Sequence, residues 1–307
     1  MADVYRVDDS FDQDFFEGAS CAFGVFDGVH LGHRYLLDAA QATARKDGGK
    51  SVALTFDIDP DERFHPDRLR KLMTNGERIE MLAQTGVDAV AVLPFTPEFA
   101  SKAPEEFLAQ TFHGPLPAHL HVGHDFRFGV RASGSVEDLE AWSAATGVAV
   151  HAHHLLSDDG APITATRIRL LLAEGKVRDA ERLLGRRYFL TGRVEPGRGE
   201  GGELGFRTAN LRVPEQMRAL GEGVYAAYAL LGGERYKAAV NVGVAATFAD
   251  RSTANIEAHL VDFDGEIYGE ELRLEFVDWL RPMRRFDDVD ELVEVVKGNI
   301  DWVRRML

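Results

Sequence analysis

Two histidines three residues apart, His30 and His33, stand at the end of the stretch Cys21–His33, which reads CAFGVFDGVHLGH. The apolar run Cys21–Phe26 reads as a buried parallel strand, broken by Asp27 and Gly28. A helical pattern follows through Tyr35, Leu36, Leu37, Ala39, Ala40 and Ala44, stopped by Gly48 and Gly49. Both imidazoles are therefore expected where a strand turns into a helix. Backbone N–H groups and the positive end of the helix dipole suit a phosphate at that place. Two imidazoles in the first turn can face one anion and donate hydrogen bonds to charge that builds as a phosphate ester exchanges partners. The competing readings are a simple helix cap, a solvated side chain or a metal pair. Zinc would need further ligands that the pattern does not place, and one cysteine is too few for the common structural sites.

The segment resembles the HxGH signature of the nucleotidyltransferase superfamily. Its longer form, Gly24-x-Phe26-Asp27-Gly28-Val29-His30-x-Gly32-His33, is similar to the FAD synthetase branch. The resemblance implies that His30 and His33 are catalytic and that Gly24, Phe26, Asp27, Gly28 and Gly32 help bind the nucleotide.

The elements needed to hold such a turn are legible on either side of it. Strand patterns fall at Ser51–Phe56, Asp88–Phe95, His119–Val122 and Val148–His154. Helical patterns fall at Gly76–Gln84, Pro104–Phe112, Val136–Thr146, Thr164–Glu174 and Val177–Leu184. This alternation implies an α/β domain with a parallel, Rossmann-like sheet whose ligands bind beyond the strand C-termini. Three more segments carry the likeness. Phe56-Asp57-Ile58-Asp59-Pro60 stands where the family has Phe-x-Pro-His-Pro beside the flavin, with Ile58 and Asp59 as departures. Gly123-His124-Asp125-Phe126-Arg127-Phe128-Gly129 is similar to a nucleotide-site loop, and Ile163–Arg169 to a Ser-Ser-Thr-x-x-Arg segment in which Ala165 loses one hydroxyl. By resemblance, Asp125, Thr164, Thr166, Arg167 and Arg169 bind nucleotide, and Phe56, Asp57 and Phe128 contact flavin. Read alone, these segments are a turn with core aromatics and a Thr cap with solvated arginines. His151 and His153 share one strand face, and with His119, His121 and His124 they read as strand ends rather than metal ligands.

After Gly185 the rhythm changes. Strands are expected at Tyr188–Val194, Gly223–Leu231, Arg235–Asn241, Ile256–Asp262 and Leu272–Phe276, with hairpin turns at Gly232-Gly233 and Asp264-Gly265. They suggest a small antiparallel β-barrel, closed by a terminal helix over Asp287–Leu307. The expected domains are 1–185 and 186–307. The Gly-rich run Gly197–Gly205 can present N–H groups to phosphates but lacks the Gly-Lys-Ser/Thr ending of a P-loop. Thr208 and Asn210 alternate along one strand, so their oxygens share a face and suit Mg²⁺ bridging ATP phosphates.

The same segment resembles the Gly-rich loop and Pro-Thr-Ala-Asn motif of riboflavin kinase, with Arg207 in place of Pro. Asn241-Val242-Gly243, Thr247-Phe248 after Ala246, Glu257-x-His259 and Leu280-Arg281-Pro282 follow in that family's order. The resemblance implies that Glu257 is the catalytic base and touches flavin with Arg281. It also implies that Gly192, Gly199, Gly201, Thr208 and Asn210 hold the nucleotide. Together the two motif sets resemble bifunctional riboflavin kinase/FAD synthetase. The implied substrates and products are riboflavin, FMN, FAD and ATP, with Mg²⁺ as cofactor. An adenylyltransferase for another acceptor with a degenerate kinase half, and a non-catalytic flavin-binding regulator, are the alternatives.

Composition sets outer bounds. The chain of 307 residues is 45% hydrophobic with three Trp, which suits well-buried cores in two domains. A formal net charge of −15 argues against a general nucleic-acid or anionic-membrane surface, though not against anionic substrates. Cys21 is the sole cysteine, so no intrachain disulfide forms. The acidic start MADVYRVDDSFDQDFFEG lacks the apolar core of a signal peptide, and no run reaches membrane-spanning length. The expectation is a cytoplasmic monomer or weak homo-oligomer acting on small molecules.

Overall fold

The computed structural model describes residues 1–8, 11–65, 70–197, 206–217, 219–243, 255–284, 286 and 288–307. The chain divides into two compact units, one of Met1–Leu69 and Thr74–Thr164, the other of Arg70–Met73 and Ala165–Leu307.

The first unit is a six-stranded parallel sheet. It contains β1 (Asp3–Arg6), β2 (Ser20–Phe23), β3 (Ser51–Phe56), β4 (Ala89–Leu93), β5 (His119–Gly123) and β6 (Ala149–His153), in the order β1-β4-β3-β2-β5-β6. β2, β3 and β4 are buried at every residue, as strands covered on both faces must be. Strand β1 was not expected, because its four residues are exposed and polar-rich; it adds to the edge through Asp3↔Ala89 and the pairs that follow. The helices are α1 (Leu31–Asp47), α2 (Pro60–Phe64), α3 (Asn75–Ala83), α4 (Pro97–Ala100), α5 (Pro104–Thr111) and α6 (Val136–Thr146). α1 packs across β2, β3 and β5. An aromatic core containing Phe23, Phe56, Phe99, Phe107 and Phe128 fills the space around the sheet. A short hairpin, β7 (Ser157–Asp158) with β8 (Ala161–Pro162), precedes the end of the unit.

Strand β2 pairs with β3 on one side and β5 on the other. The chain proceeds outward from β2 through β3 and β4, then returns to β2's other flank as β5. The sheet therefore reverses direction at β2, and the crevice beyond the carboxyl ends of β2 and β5 is its natural ligand site.

The second unit begins with α7 (Ala165–Ala173) and α8 (Val177–Leu184), the latter ended by Gly185 at φ 71°. Next come β9 (Phe189–Glu195), β10 (Ala209–Arg212), β11 (Gly223–Leu231), β12 (Glu234–Gly243), β13 (Asn255–Leu260) and β14 (Glu271–Arg281). They close a barrel in the order β10-β13-β12-β11-β14-β9, antiparallel throughout. Alternate residues point inward and are buried: Leu190, Val194, Leu211, Tyr225, Ala227, Val240, Ala258 and Leu274 among them. The terminal helix α9 (Val289–Met306) lays Ile300 and Val303 on Ala226 and Val261 outside the barrel.

Gly232 and Gly233, at φ 58° and 88°, make the two-residue turn between β11 and β12. The expected Asp264-Gly265 hairpin is corrected. β13 and β14 are not neighbours in the barrel, and Gly265 instead makes room for Phe263, whose ring would lie 2.7 Å from a Cβ there.

Candidate functional sites

Beyond β2 the backbone turns sharply. Phe26 takes φ 60°, Gly28 φ 80° and Val29 φ 38°. A left-handed β-branched residue is strained, and such strain collects where geometry serves a site. His30 returns to extended backbone as the N-cap of α1, and its Nδ1 accepts the His33 N–H at 3.3 Å. That bond fixes the tautomer: in the neutral ring the proton sits on Nε2, leaving a donor there. The rings of His30 and His33 stack with centroids 3.5 Å apart and planes 18° from parallel, and Phe26 meets His33 edge-on at 5.3 Å. Gly32 permits this closeness, since a Cβ would stand 3.2 Å from the His30 ring and 3.3 Å from the Ile163 carbonyl. The segment leading into Thr164 thus backs directly onto the histidine turn.

Arg78, which lies within the expected helix Gly76–Gln84, is the polar centre beneath this site. It is 1% exposed. Its Nη1 donates to the Val25 carbonyl at 2.7 Å and to Thr55 Oγ1 at 2.6 Å, and its Nη2 donates to the Phe56 carbonyl at 2.7 Å and to Asn75 Oδ1 at 3.2 Å. One planar fork therefore ties together the ends of β2 and β3. Burial lowers its pKa, while Asp59, Asp27, Glu62 and Asp57 favour the charge.

The loop after β3 departs from the family pattern for a local reason. Asp59 caps α2, its Oδ1 accepting the Asp61 N–H at 2.9 Å, and Pro60 takes the first helical position. Asp57 accepts the Phe95 N–H at 2.8 Å and stands 3.6 Å from Arg6. Phe56 and Phe128 place their rings in the aromatic core. Asp125, at the end of β5, is exposed, and its Oδ1 lies over Gly123, where a Cβ would meet it at 2.9 Å. Thr164 closes the first unit, whereas Thr166, Arg167 and Arg169 belong to α7 of the second.

Four histidines join on one face of β5 and β6. His119 Nδ1 is 3.0 Å from His151 Nε2, His121 Nδ1 is 2.9 Å from His153 Nε2, and His119 Nε2 is 2.7 Å from Asp47 Oδ2. Burial, then the neighbouring rings of His151, His153 and His119, lowers the His121 pKa to about 3. His151 and His153 are lowered too, again chiefly by burial. Among the described residues no group of three or more His, Cys, Asp or Glu side chains could hold a metal ion.

In the barrel, strand register assembles a second site. Asn210 pairs with Glu257, Glu257 with Asn241, and Asn241 with Val224, which pairs in turn with Arg281. Directly opposed residues share a face, so Asn210, Glu257 and Asn241 stand side by side outside the barrel, each half-buried. Their flanking residues, Leu211, Ile256 and Val242, fill the interior. Gly197 passes close over this row, since a Cβ there would collide with the Asn210 amide. Asn241 Oδ1 is shielded and, among the described residues, makes no hydrogen bond. Arg207, in the family's Pro position, pairs with Asp264 at 2.8 Å, and its carbonyl accepts from His259 Nδ1 at 2.9 Å. Burial, then Arg284, lowers the Arg281 pKa. Gly192 lies in the barrel wall, where a Cβ would stand 2.7 Å from the Arg212 carbonyl. The expectations for Gly199, Gly201, Ala246, Thr247 and Phe248 fall outside the described residues.

Comparison with known proteins finds a family for each part of the chain. A family model described as FAD synthetase matches residues 12–167, and one described as riboflavin kinase matches 184–307. A bifunctional riboflavin kinase/FMN adenylyltransferase from Listeria monocytogenes is 32% identical, over 89% of this chain and 87% of its own. The protein of the same description from Haemophilus influenzae is 33% identical, over 94% of both. A crystal structure described as a macrolide-efflux protein from Streptococcus pneumoniae matches with a TM-score of 0.85 and 30% identity, covering 98% of this chain and 99% of that one. Among the described residues, no helix of this chain is long and apolar enough to cross a membrane.

Proposed function

Since the chain belongs to the bifunctional riboflavin kinase/FMN adenylyltransferase family, and so makes FMN from riboflavin and FAD from FMN, we propose that each step has its own site: adenylylation at the histidine turn, phosphorylation on the outer row of the barrel. The functional domains are then residues 1–185 and 186–307.

In the kinase step the riboflavin 5′-hydroxyl attacks the γ-phosphorus of ATP, ADP leaves, and Glu257 takes the hydroxyl proton. Thr208 and Asn210 offer neutral hard oxygens on the face that carries Glu257, a donor set that fits Mg²⁺ rather than a soft metal. Bound there, Mg²⁺ would offset phosphate charge. Arg281 and Glu257 flank the flavin substrate, while Gly192, Gly199 and Gly201 shape the nucleotide side.

In the second step an FMN phosphate oxygen attacks the α-phosphorus of ATP, the α–β bridge breaks, and pyrophosphate leaves. No protein nucleophile is required. His30 and His33 hold the phosphates and donate hydrogen bonds to the charge developing on them, with Gly24, Phe26, Asp27, Gly28 and Gly32 shaping the turn. Asp125 holds a ribose hydroxyl, and Thr164, Thr166, Arg167 and Arg169 grip nucleotide and pyrophosphate. Phe56, Asp57 and Phe128 form the flavin side, Phe56 and Phe128 by fixing the loops they anchor. The protein works as a cytoplasmic monomer or weak homo-oligomer on small molecules, without nucleic acid.

The observation that carries the reading is the stacked His30–His33 pair at the place where the sheet reverses direction. Incubation with riboflavin and Mg-ATP, followed chromatographically, should yield FMN first and FAD after it, and chelation by EDTA should stop both. Production of FMN but no FAD, even with added FMN, would remove the adenylylation assignment.

A further inference from the structure

The row that carries Glu257 ends in two unsatisfied polar atoms. Asn241 Oδ1 and Arg281 Nε are both shielded from solvent, and among the described residues both lack a hydrogen-bond partner. Asn241 is the direct neighbour of Glu257, on the side away from Asn210, and Val224 alone separates it from Arg281 in the pairing. Its position on the face is fixed, because Val240 and Val242 on either side of it are buried inside the barrel at 0% and 4% exposure. A shielded acceptor without a donor weakens the empty protein, and an apolar side chain would avoid that cost. The amide is therefore best explained by a ligand that brings a donor.

What each substrate brings to the neighbourhood of Glu257 differs in this respect. The phosphates of ATP only accept hydrogen bonds, and its ribose and adenine donors lie beyond the triphosphate, whereas the polyol chain beside the riboflavin 5′-hydroxyl carries hydroxyl donors. A metal shared with Asn210 is disfavoured, since two strand spacings of about 4.8 Å separate the two residues and Glu257 stands between them. We infer that Asn241 Oδ1 accepts a hydrogen bond from a hydroxyl of the acceptor's polyol chain, holding that chain beside Glu257 and selecting for it. The inference rests on the reading of Glu257 as the base.

The test is Asn241→Leu in the full-length enzyme, with Asn241→Ser as a second variant that keeps an oxygen on a shorter arm. The expected result for Asn241→Leu is a rise of about tenfold in the KM and Kd for riboflavin, with the KM for ATP within twofold. The melting temperature without ligand should hold or rise, and the shift produced by riboflavin should shrink. Asn241→Ser should fall between the variant and wild type. A riboflavin analogue lacking one side-chain hydroxyl at a time should bind wild type less well at one position and show no such loss with Asn241→Leu. Unchanged riboflavin binding in Asn241→Leu, or a fall in ligand-free melting with no selective loss of riboflavin, would overturn the inference. Should Asn241→Leu be insoluble, riboflavin affinity in Asn241→Ser equal to wild type would overturn it instead. Glu257→Gln is measured alongside. If it still makes FMN, the reading of the site fails; if it does not while Asn241→Leu binds riboflavin normally, only the role of Asn241 fails.

Discussion

Between Phe26 and Val29 the backbone is left-handed at three residues of four, and one buried arginine pins the strand ends beneath. Around Glu257, by contrast, Asn210, Glu257 and Asn241 keep regular antiparallel pairing. The first site is made by bending the chain, the second by lining up straight strands. A bent site depends on whatever holds the bend, including residues that never meet substrate. A registered site depends on the residues in the row itself, whose places are set by the backbone pairing of the barrel.

The contrast is broken or sharpened most by the largest expected effect. Glu257→Gln should lower FMN formation about 10²- to 10⁴-fold, the range for losing a general base, while FAD formation from supplied FMN stays within twofold. Loss of both activities together would deny the two sites their independence. His33→Ala should do the reverse, lowering FAD formation about 10²- to 10³-fold and sparing the kinase, as expected for loss of one preorganised donor. Separate single-step assays check both.

Arg78→Met should cost about 3 kcal/mol of stability, because it removes the guanidinium donors from the Phe56 carbonyl and from the Val25 carbonyl, which keeps only Thr55 Oγ1 at 3.2 Å, and it should depress FAD formation well beyond FMN formation. Thermal unfolding read with each assay separates the two consequences. No single substitution in the Glu257 row should destabilise its barrel as much.

The smallest expected effect is one of acidity. His121, His151 and His153 titrate below the usual histidine range, so the folded form takes up fewer protons than the unfolded chain. Stability is fully present above about pH 6.5, the unfolded value, and declines as pH falls from there toward about 3 for His121. The groups facing His121 are His119 on its own strand, His151 and His153 on β6, with Asp47 of α1 bonded to His119. Melting scans from pH 7.5 to about 4.5 should slope downward for wild type and flatten in His121→Phe. An equal slope in both would remove the histidine face as its source.

Much of this was legible in sequence because the informative residues are the unusual ones. Alternating apolar runs and helical periods gave the parallel sheet, and two histidines around Gly32 marked the turn. What was not legible needed partners from distant segments. Arg78 lies within α3, whose apolar residues alone define its inner side, and only the carbonyls of Val25 and Phe56 explain a guanidinium among them. His151 and His153 visibly share a face, but their bonding to His119 and His121 follows from the pairing of β5 with β6. Asp264-Gly265 read as a hairpin because turn chemistry is local, whereas strand order is not. Asn241 stood in a recognisable motif, yet its stranded oxygen depends on which residues surround it in space.

The cap on α1 has one last consequence. His30 spends its Nδ1 lone pair on the His33 amide. It can give a proton's hydrogen bond outward but has no second lone pair with which to receive one. Folding, rather than the arrival of a nucleotide, has thus already chosen the polarity of that ring, and nitrogen-15 shifts of the resting enzyme should display the choice before any ATP is added.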